Sequence, residues 1–363
     1  MIGKSLKRAA AVSAFIIVFI YLFIHLTYVF REPLSHTREH MMGFYSEKKN
    51  TVDVVVLGTS CTFSAIAPMQ MWEDYGIAAY DFCTNVLLED TMKYALREIK
   101  KTQSPKLIII DTAPFMNAYI ARNGPDNTQI MRYNIDGFRI SKNRIDLINS
   151  VIADKEKRMN YYFDLLYYHS NPEPEVKNWN WNRSTPYKGY SNLQIDVGYP
   201  DEHEDVNVPA DKYPISDAEQ RVLDDLLDEI DALGFNVLFI TDPYWPVDNK
   251  EEAMGRAEYL QVYLTGKGYD FLDMHEYLDD IGIKGSEDYS MDYNHYTITG
   301  AIKNTRFLGG YIHDKYDLPD RRNDSGYDKW RREYDEWVNI VLPENIKWTN
   351  DAREEYLSNQ SRD

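Results

Sequence analysis

Hydrophobic residues fall along this chain in three patterns. From Ala9 to Phe30 there are 22 residues without Asp, Glu, Lys or Arg, which as a helix span ~33 Å, about the hydrocarbon thickness of a bilayer. Shorter apolar runs follow at Val52–Leu57, Ile77–Phe82, Lys106–Asp111, Asn236–Thr241 and Tyr269–Asp273. Such runs, rich in β-branched residues and closed by polar or turn-forming ones, suit strands buried on both faces. The third pattern is helical spacing. Leu87, Leu88, Met92, Ala95, Leu96 and Ile99 mark a helix that Pro105 ends, and Ser216 with Glu219 three residues on caps another reaching Leu233. Glu251–Lys267 and Thr299–Lys315 complete the series. Five strands separated by helices predict an α/β domain over residues 51–319, built on an open five-stranded parallel sheet with right-handed crossovers.

Elsewhere the pattern is weaker. Residues 31–50 read as a polar juxtamembrane spacer with a short helix. After Pro114 the periodicity degrades, although Asn143–Ala153 and Arg158–Tyr168 read as helices. The stretch from Ser170 to Pro214 is dense in Asn, Pro, Tyr and Trp, so residues 115–215 are expected to form an ordered, loop-rich insertion. The charged tail 320–363, with Trp330, Trp337 and Trp348 spaced along it, is expected to pack a terminal helix and arm onto the body, a partner-binding arm being the other reading.

Charge sets the compartment and excludes partners. Lys4, Lys7 and Arg8 precede the long apolar run with no acid among them, so the positive-inside rule predicts a short cytoplasmic tail at 1–8, an anchor at 9–30 and an extracytoplasmic body. The run ends in Thr-Tyr-Val-Phe-Arg-Glu-Pro and lacks the small-x-small site of a cleaved signal peptide. The whole chain carries −18; without the three leading cations, 37 basic side chains face 58 acidic ones, a charge of −21. That balance, with no basic stripe, argues against nucleic acid. Two cysteines exclude a disulfide-rich scaffold and a four-cysteine zinc module. No metal-ligand spacing appears, and no cofactor is expected.

Ligands of open α/β sheets bind beyond the carboxyl ends of the strands. The first strand delivers Gly58-Thr59-Ser60-Cys61, a tight turn followed by a hydroxyl at the corner. Ser60 is therefore a candidate nucleophile, its plainer reading being a turn or helix-cap serine. Of eight histidines, His295 lies after the last strand and before the closing helix, where topology carries it toward Ser60. Asp292 stands three residues earlier, close enough to fix the imidazole tautomer. Cys61 invites a thiol reading, but neighbours at a corner are expected to point apart, leaving Ser60 alone to face His295. Pairing of Cys61 with Cys83 stays open.

Together these residues resemble the SGNH/GDSL hydrolase superfamily, in which a Gly-x-Ser after the first strand works with an Asp-x-x-His near the end of the domain. Val54-Val55-Val56-Leu57-Gly58-Thr59-Ser60 is similar to the first block and Asp292-Tyr293-Asn294-His295 to the last. Trp72-Glu73-Asp74-Tyr75-Gly76-Ile77, Ser104-Pro105-Lys106, Gly300-Ala301 and Tyr316-Asp317-Leu318-Pro319-Asp320-Arg321-Arg322 resemble a membrane-anchored Gram-positive branch. That branch is similar to the lipoteichoic-acid D-alanylation and alginate O-acetylation proteins. The resemblance implies a flavodoxin-like three-layer α/β/α fold. It also implies esterase or O-acyltransferase chemistry on a cell-envelope glycan or an acylated small substrate, with an integral-membrane acyl-donor protein as candidate partner.

Two departures stand out. The family's second block offers a Gly and its third a Gly-x-Asn; here no Gly lies between Ile77 and Asn123, and the third strand ends Asp111-Thr112-Ala113-Pro114. The candidate oxyanion donors are then the Ser60 N–H and Asn85, with Asn117 behind it. Trp179, Trp181, Tyr187, Tyr190, Tyr244 and Trp245 are candidates for a sugar-binding rim, core packing being their commoner role. A non-catalytic scaffold of the same fold, or a glycan-binding protein, is the alternative reading.

Overall fold

The computed structural model describes residues 2–31, 36–116, 128–172, 174, 176, 185–192, 201, 208–243, 251–290 and 295–360. The chain opens with α1 (Ile2–Phe30) and α2 (His36–Ser46), followed by β1 (Val54–Leu57), α3 (Ser60–Ala65), α4 (Pro68–Tyr75), β2 (Ala79–Asp81), α5 (Glu89–Thr102) and β3 (Leu107–Asp111). Among the described residues the insertion contains α6 (Thr128–Ile135), α7 (Lys142–Val151), α8 (Arg158–Tyr162) and α9 (Leu165–Tyr168). Then come α10 (Asp217–Leu233), β4 (Val237–Thr241), α11 (Glu251–Gly266), β5 (Asp270–Asp273), a short hairpin β6 (Tyr289–Ser290) and β7 (His295–Tyr296), and α12 (Ile298–Lys315). The arm is helical, with α13 (Asp328–Glu336) and α14 (Leu342–Gln360).

β1 to β5 form one sheet in the order β2-β1-β3-β4-β5, and every pair is parallel. Period-two alternation divides the core between the two faces. Val55, Leu57, Ile108, Ile110, Val237 and Phe239 point into the side covered by α5, α10 and α11. Val54, Val56, Leu107, Ile109, Leu238 and Ile240 point into the side closed by α3 and α12. All are 5% exposed or less, which is why the strands read as continuous apolar runs. α10 starts where the sequence indicates: the Ser216 hydroxyl accepts the Glu219 N–H while the Glu219 carboxylate accepts the Ser216 N–H.

Residues 40–47 and the C-terminal arm are part of the body. On α2, Met41, Met42, Phe44 and Tyr45 are buried, so residues 40–47 act as core rather than as a polar spacer. The arm packs Trp72 against Trp330, with ring centroids 5.4 Å apart, and buries Trp337. Two stretches quoted above for their resemblance meet here. Arg321 N–H donates to the Gly76 carbonyl (2.9 Å), Arg322 reaches the Glu73 carbonyl (2.7 Å), and Arg321 clamps Asp53 at the foot of β1 through two 2.8 Å bonds. The loop 185–192 covers the free edge of β2, where the Lys188 carbonyl accepts the Asp81 N–H (2.9 Å). The Lys188 ammonium is fully buried between Glu47 (2.7 Å) and Glu333 (2.5 Å), over the Trp330 ring.

A second buried ionic cluster joins α1 to the insertion. Asp164 sits between α8 and α9 and breaks the single helix expected over 158–168. Its carboxylate accepts from Arg31 (Nε, 3.1 Å), Arg132 (2.9 Å) and Arg144 (2.9 Å to each oxygen). Burial opposes the charge, but the guanidiniums of Arg31, Arg144 and Arg132 outweigh it and hold the carboxyl down at about 2. Asp164→Ala leaves three cations with one counter-ion fewer, and breaking such a buried network costs about 3–5 kcal/mol. We expect thermal unfolding of the detergent-solubilised chain to show that loss at pH 7. Because the folded value lies below the unfolded value of about 3.9, the wild-type advantage is present above pH ~4 and disappears as pH falls through about 2.

Candidate active site

The site is assembled at the carboxyl end of β1. Gly58 is required there: a Cβ would stand 2.2 Å from the Thr62 hydroxyl. Thr59 then caps α3, its hydroxyl accepting the Cys61 N–H (3.3 Å), while the Thr62 hydroxyl accepts the Thr59 N–H (3.1 Å) and donates to Asp111 at the end of β3 (2.7 Å). These bonds fix Ser60 as the first residue of α3, half-buried, where its own N–H has no acceptor within the helix.

His295 arrives on β7. The hairpin pairs Ser290 with His295 and Tyr289 with Tyr296. Its two tyrosines are fully buried with rings 4.7 Å apart, and both hydroxyls donate to the Pro243 carbonyl just after β4, Tyr289 at 2.8 Å. The Tyr296 N–H donates to the Ser64 hydroxyl on α3 (3.2 Å), which in turn donates to the Cys61 carbonyl (2.8 Å). Thr297 caps α12 immediately afterwards, its hydroxyl accepting the Gly300 N–H (3.4 Å). The result is a 2.9 Å contact between His295 Nε2 and Ser60 Oγ. Both residues are half-buried, so the pair is reachable from solvent.

Cys61 departs from expectation. Its Sγ lies 3.8 Å from the same His295 Nε2, so serine and thiol both face the imidazole. The reason is local: both residues belong to the first turn of α3, and β7 docks across that turn. Cys61 and Cys83 are both free thiols.

Other candidates fall in different places. Asn85 lies in the turn after β2, and the Thr84 N–H donates to the Gly58 carbonyl (3.2 Å), so the loop carrying Asn85 runs beside the one carrying Ser60. Tyr190 is 1% exposed, edge-on to Trp337, and Tyr187 packs on the same indole. For Tyr190 this is core packing and not an open sugar platform. Asp292, Asn117, Trp179, Trp181, Tyr244 and Trp245 lie outside the described residues.

Sequence reasoning missed the carboxylates beneath the site. Asp81 ends β2, Asp111 ends β3 and Asp242 follows β4, all with 1% exposure or less. Burial pushes Asp111 up to about 6, against hydrogen bonds from Thr62 and the Ala113 N–H. Burial, then the neighbouring Asp111, raises Asp242 well above the usual range; Asp81 is raised by burial and by Asp242. Among the described residues Asp81 has no hydrogen-bond donor. The available signal was an aspartate at or beside the end of four of the five apolar runs: Asp81, Asp111, Asp242 and Asp273. At the end of β5, Asp273 meets Glu258 and Glu276, their carboxylate oxygens within 4.8 Å of one another. Spacing along the chain shows no such set; the fold creates it.

Compared with known protein families and with curated proteins, the chain matches none.

Burial pushes the Asp273 carboxyl up to about 7; the His275 N–H opposes this and Glu276 and Glu258 add to it. The folded value exceeds the unfolded one, so this group's contribution is intact below pH ~4 and is lost as pH rises through about 7. Asp273→Asn, which still accepts the His275 N–H, is expected to be near neutral at pH 4. At pH 7.5 it is expected to stabilise by roughly 1–4 kcal/mol in chemical denaturation. An equal effect at both pH values contradicts the assignment.

Proposed function

We propose that the chain is a membrane-anchored, extracytoplasmic serine esterase or O-acyltransferase of SGNH type, acting on an ester-bearing cell-envelope glycan. The observation that carries this reading is the 2.9 Å contact between Ser60 Oγ and His295 Nε2 at the carboxyl end of the sheet. The strand order 2-1-3-4-5 supports it, being that of flavodoxin-like doubly wound sheets. Lys4, Lys7 and Arg8 before an exposed apolar helix support the N-in orientation.

In this reading Ser60 Oγ attacks the acyl carbon as its proton passes to His295 Nε2. The ester C–O bond breaks, the leaving alkoxide takes that proton, and an acyl-serine remains. Water or a sugar hydroxyl then gives its proton to His295 and attacks the acyl carbon; the acyl–Oγ bond breaks, His295 returns the proton to Ser60 Oγ, and the free acid or the new ester leaves. Asp292, three residues before His295, orients the imidazole through Nδ1. The Ser60 N–H and Asn85 stabilise the oxyanion, Asn117 being the further candidate donor; one such donor is worth about 3 kcal/mol. A non-catalytic scaffold or glycan-binding protein is favoured by one observation: β2 and β3 end in the buried acids Asp81 and Asp111, with no glycine at either corner.

A fluorophosphonate probe on the detergent-solubilised full chain separates the readings. We expect labelling of the intact protein, its loss in Ser60→Ala and His295→Ala, and its retention in Cys61→Ala. Hydrolysis of a small aryl acetate is expected to fall by at least about 10³-fold in the first two variants. No labelling of the intact protein favours the scaffold. Labelling that survives Ser60→Ala but not Cys61→Ala makes the thiol the nucleophile.

A further inference from the structure

The apolar part of α1 is longer than the part of it that stands free. Residues 9–22 are exposed, whereas Phe23, Ile24 and His25 are half-buried and Thr27, Tyr28 and Val29 are buried against the body. Fourteen residues of helix rise only ~21 Å, while the hydrocarbon of a bilayer is about 30 Å thick. Starting from Ala9, just beyond the cluster Lys4, Lys7 and Arg8, twenty residues are needed, which brings the far boundary to about Tyr28. Whatever packs on residues 23–28 therefore lies at membrane depth.

The insertion is what packs there. The Phe163 ring meets Phe23 edge-on with centroids 5.9 Å apart, α9 lies against α1, and Asn171 donates to the Phe30 carbonyl (3.0 Å). The Asp164 network holds this contact rigidly, since Arg31 follows α1 directly and is fully buried in it. The outward face of the same segment is apolar: Ile140, Ile145, Met159, Phe163, Leu166 and Tyr167 are each 43–53% exposed. A groove of about 290 Å³ runs through it, lined by Ile140, Ser141, Arg144, Ile145, Tyr162 and Phe163.

Charge on this segment is opposite in sign to the rest. Residues 139–168 carry six basic side chains against four acidic ones in a chain of net charge −18. Lys142, Lys155, Lys157 and Arg158 belong to this segment, interspersed with Asp146, which pairs with Lys142 (2.5 Å), and with the exposed Asp154 and Glu156, while Asp164 is buried among arginines. Exposed apolar side chains on a segment of net positive charge are the composition of surfaces that lie in a bilayer interface.

We propose that α7, α8 and α9 form a lipid-binding platform, seated in the leaflet on the body's side of the membrane that α1 crosses, with an acyl chain of a phospholipid in the 290 Å³ groove. The body then does not swing on a flexible tether; two attachments, α1 and the platform, fix its height and tilt. The position of Ser60 above the lipid headgroups is set by the fold.

The test uses the full chain in vesicles of phosphatidylcholine and phosphatidylglycerol, with single nitroxide labels at Leu166→Cys and Ile145→Cys. Label at Ile16→Cys in the middle of α1 is the lipid reference, and label at Val262→Cys on the exposed face of α11 is the water reference. Native Cys61 and Cys83 are buried, and the unsubstituted chain gives their background. The readout is the ratio of oxygen to water-soluble nickel collision rates. Ratios at 166 and 145 that side with position 16 support the platform. Ratios that side with position 262 while 16 reads lipid overturn it and leave the anchor standing; in pure lipid this outcome also covers a face reserved for a protein partner. An aqueous reading at 16 removes anchor and platform together.

Discussion

The whole site rests on a contact between two residues 235 positions apart. Closing so long a loop is entropically unfavourable, and one hydrogen bond of net ~1 kcal/mol does not hold it closed. What holds it is the docking of the β6–β7 hairpin. Tyr289 and Tyr296 are fully buried, share the Pro243 carbonyl, and place β7 across α3, where the Tyr296 backbone bonds to Ser64. The imidazole is presented by a packed tyrosine pair, so its geometry relative to Ser60 is set before any ligand arrives.

Two buried aspartates show how differently the interior treats the same side chain. Asp164 lies among three guanidiniums and stays ionised, binding the end of α1 to the insertion. Asp81 is equally buried, has no cation beside it among the described residues, and is pushed toward the neutral acid, as is Asp242. Burial is the same in both places; the neighbours decide the charge.

Much of the sheet was legible because buried parallel strands need little more than continuous apolar runs. Val54–Leu57 and Leu107–Asp111 satisfied that requirement alone, and the Ser216 cap fixed α10 by local chemistry. What the chain does between distant segments was not legible. His36 to Ser46 looks polar, yet Met41, Phe44 and Tyr45 find partners such as Phe82 only once β2 is in place. A single helix over 158–168 fits the spacing, but Asp164 turns inward to Arg31, 133 residues away. The two-residue strand holding His295 is too short to leave a periodic signal, and the shared reach of Ser60 and Cys61 to His295 follows from the angle at which that strand crosses α3.

The two buried ionic clusters take their meaning from where they stand. One joins α1 to the insertion through Arg31 and Asp164; the other joins α2, the 185–192 loop and the arm through Glu47, Lys188 and Glu333. Each ties segments distant in sequence, and each would be costly if one member were missing. The Lys188 cluster has a further requirement. Lys188 adopts φ 51°, and the next residue, Gly189, has φ 92° and lies so close to the Asp81 carbonyl that a Cβ there would stand 2.1 Å away. Strain at Lys188 is tolerated because its ammonium is gripped from both sides, and the loop it bends caps the open edge of β2. The same grip carries the arm's position to the sheet edge next to the Ser60 loop, so loosening the arm and exposing that edge are one event.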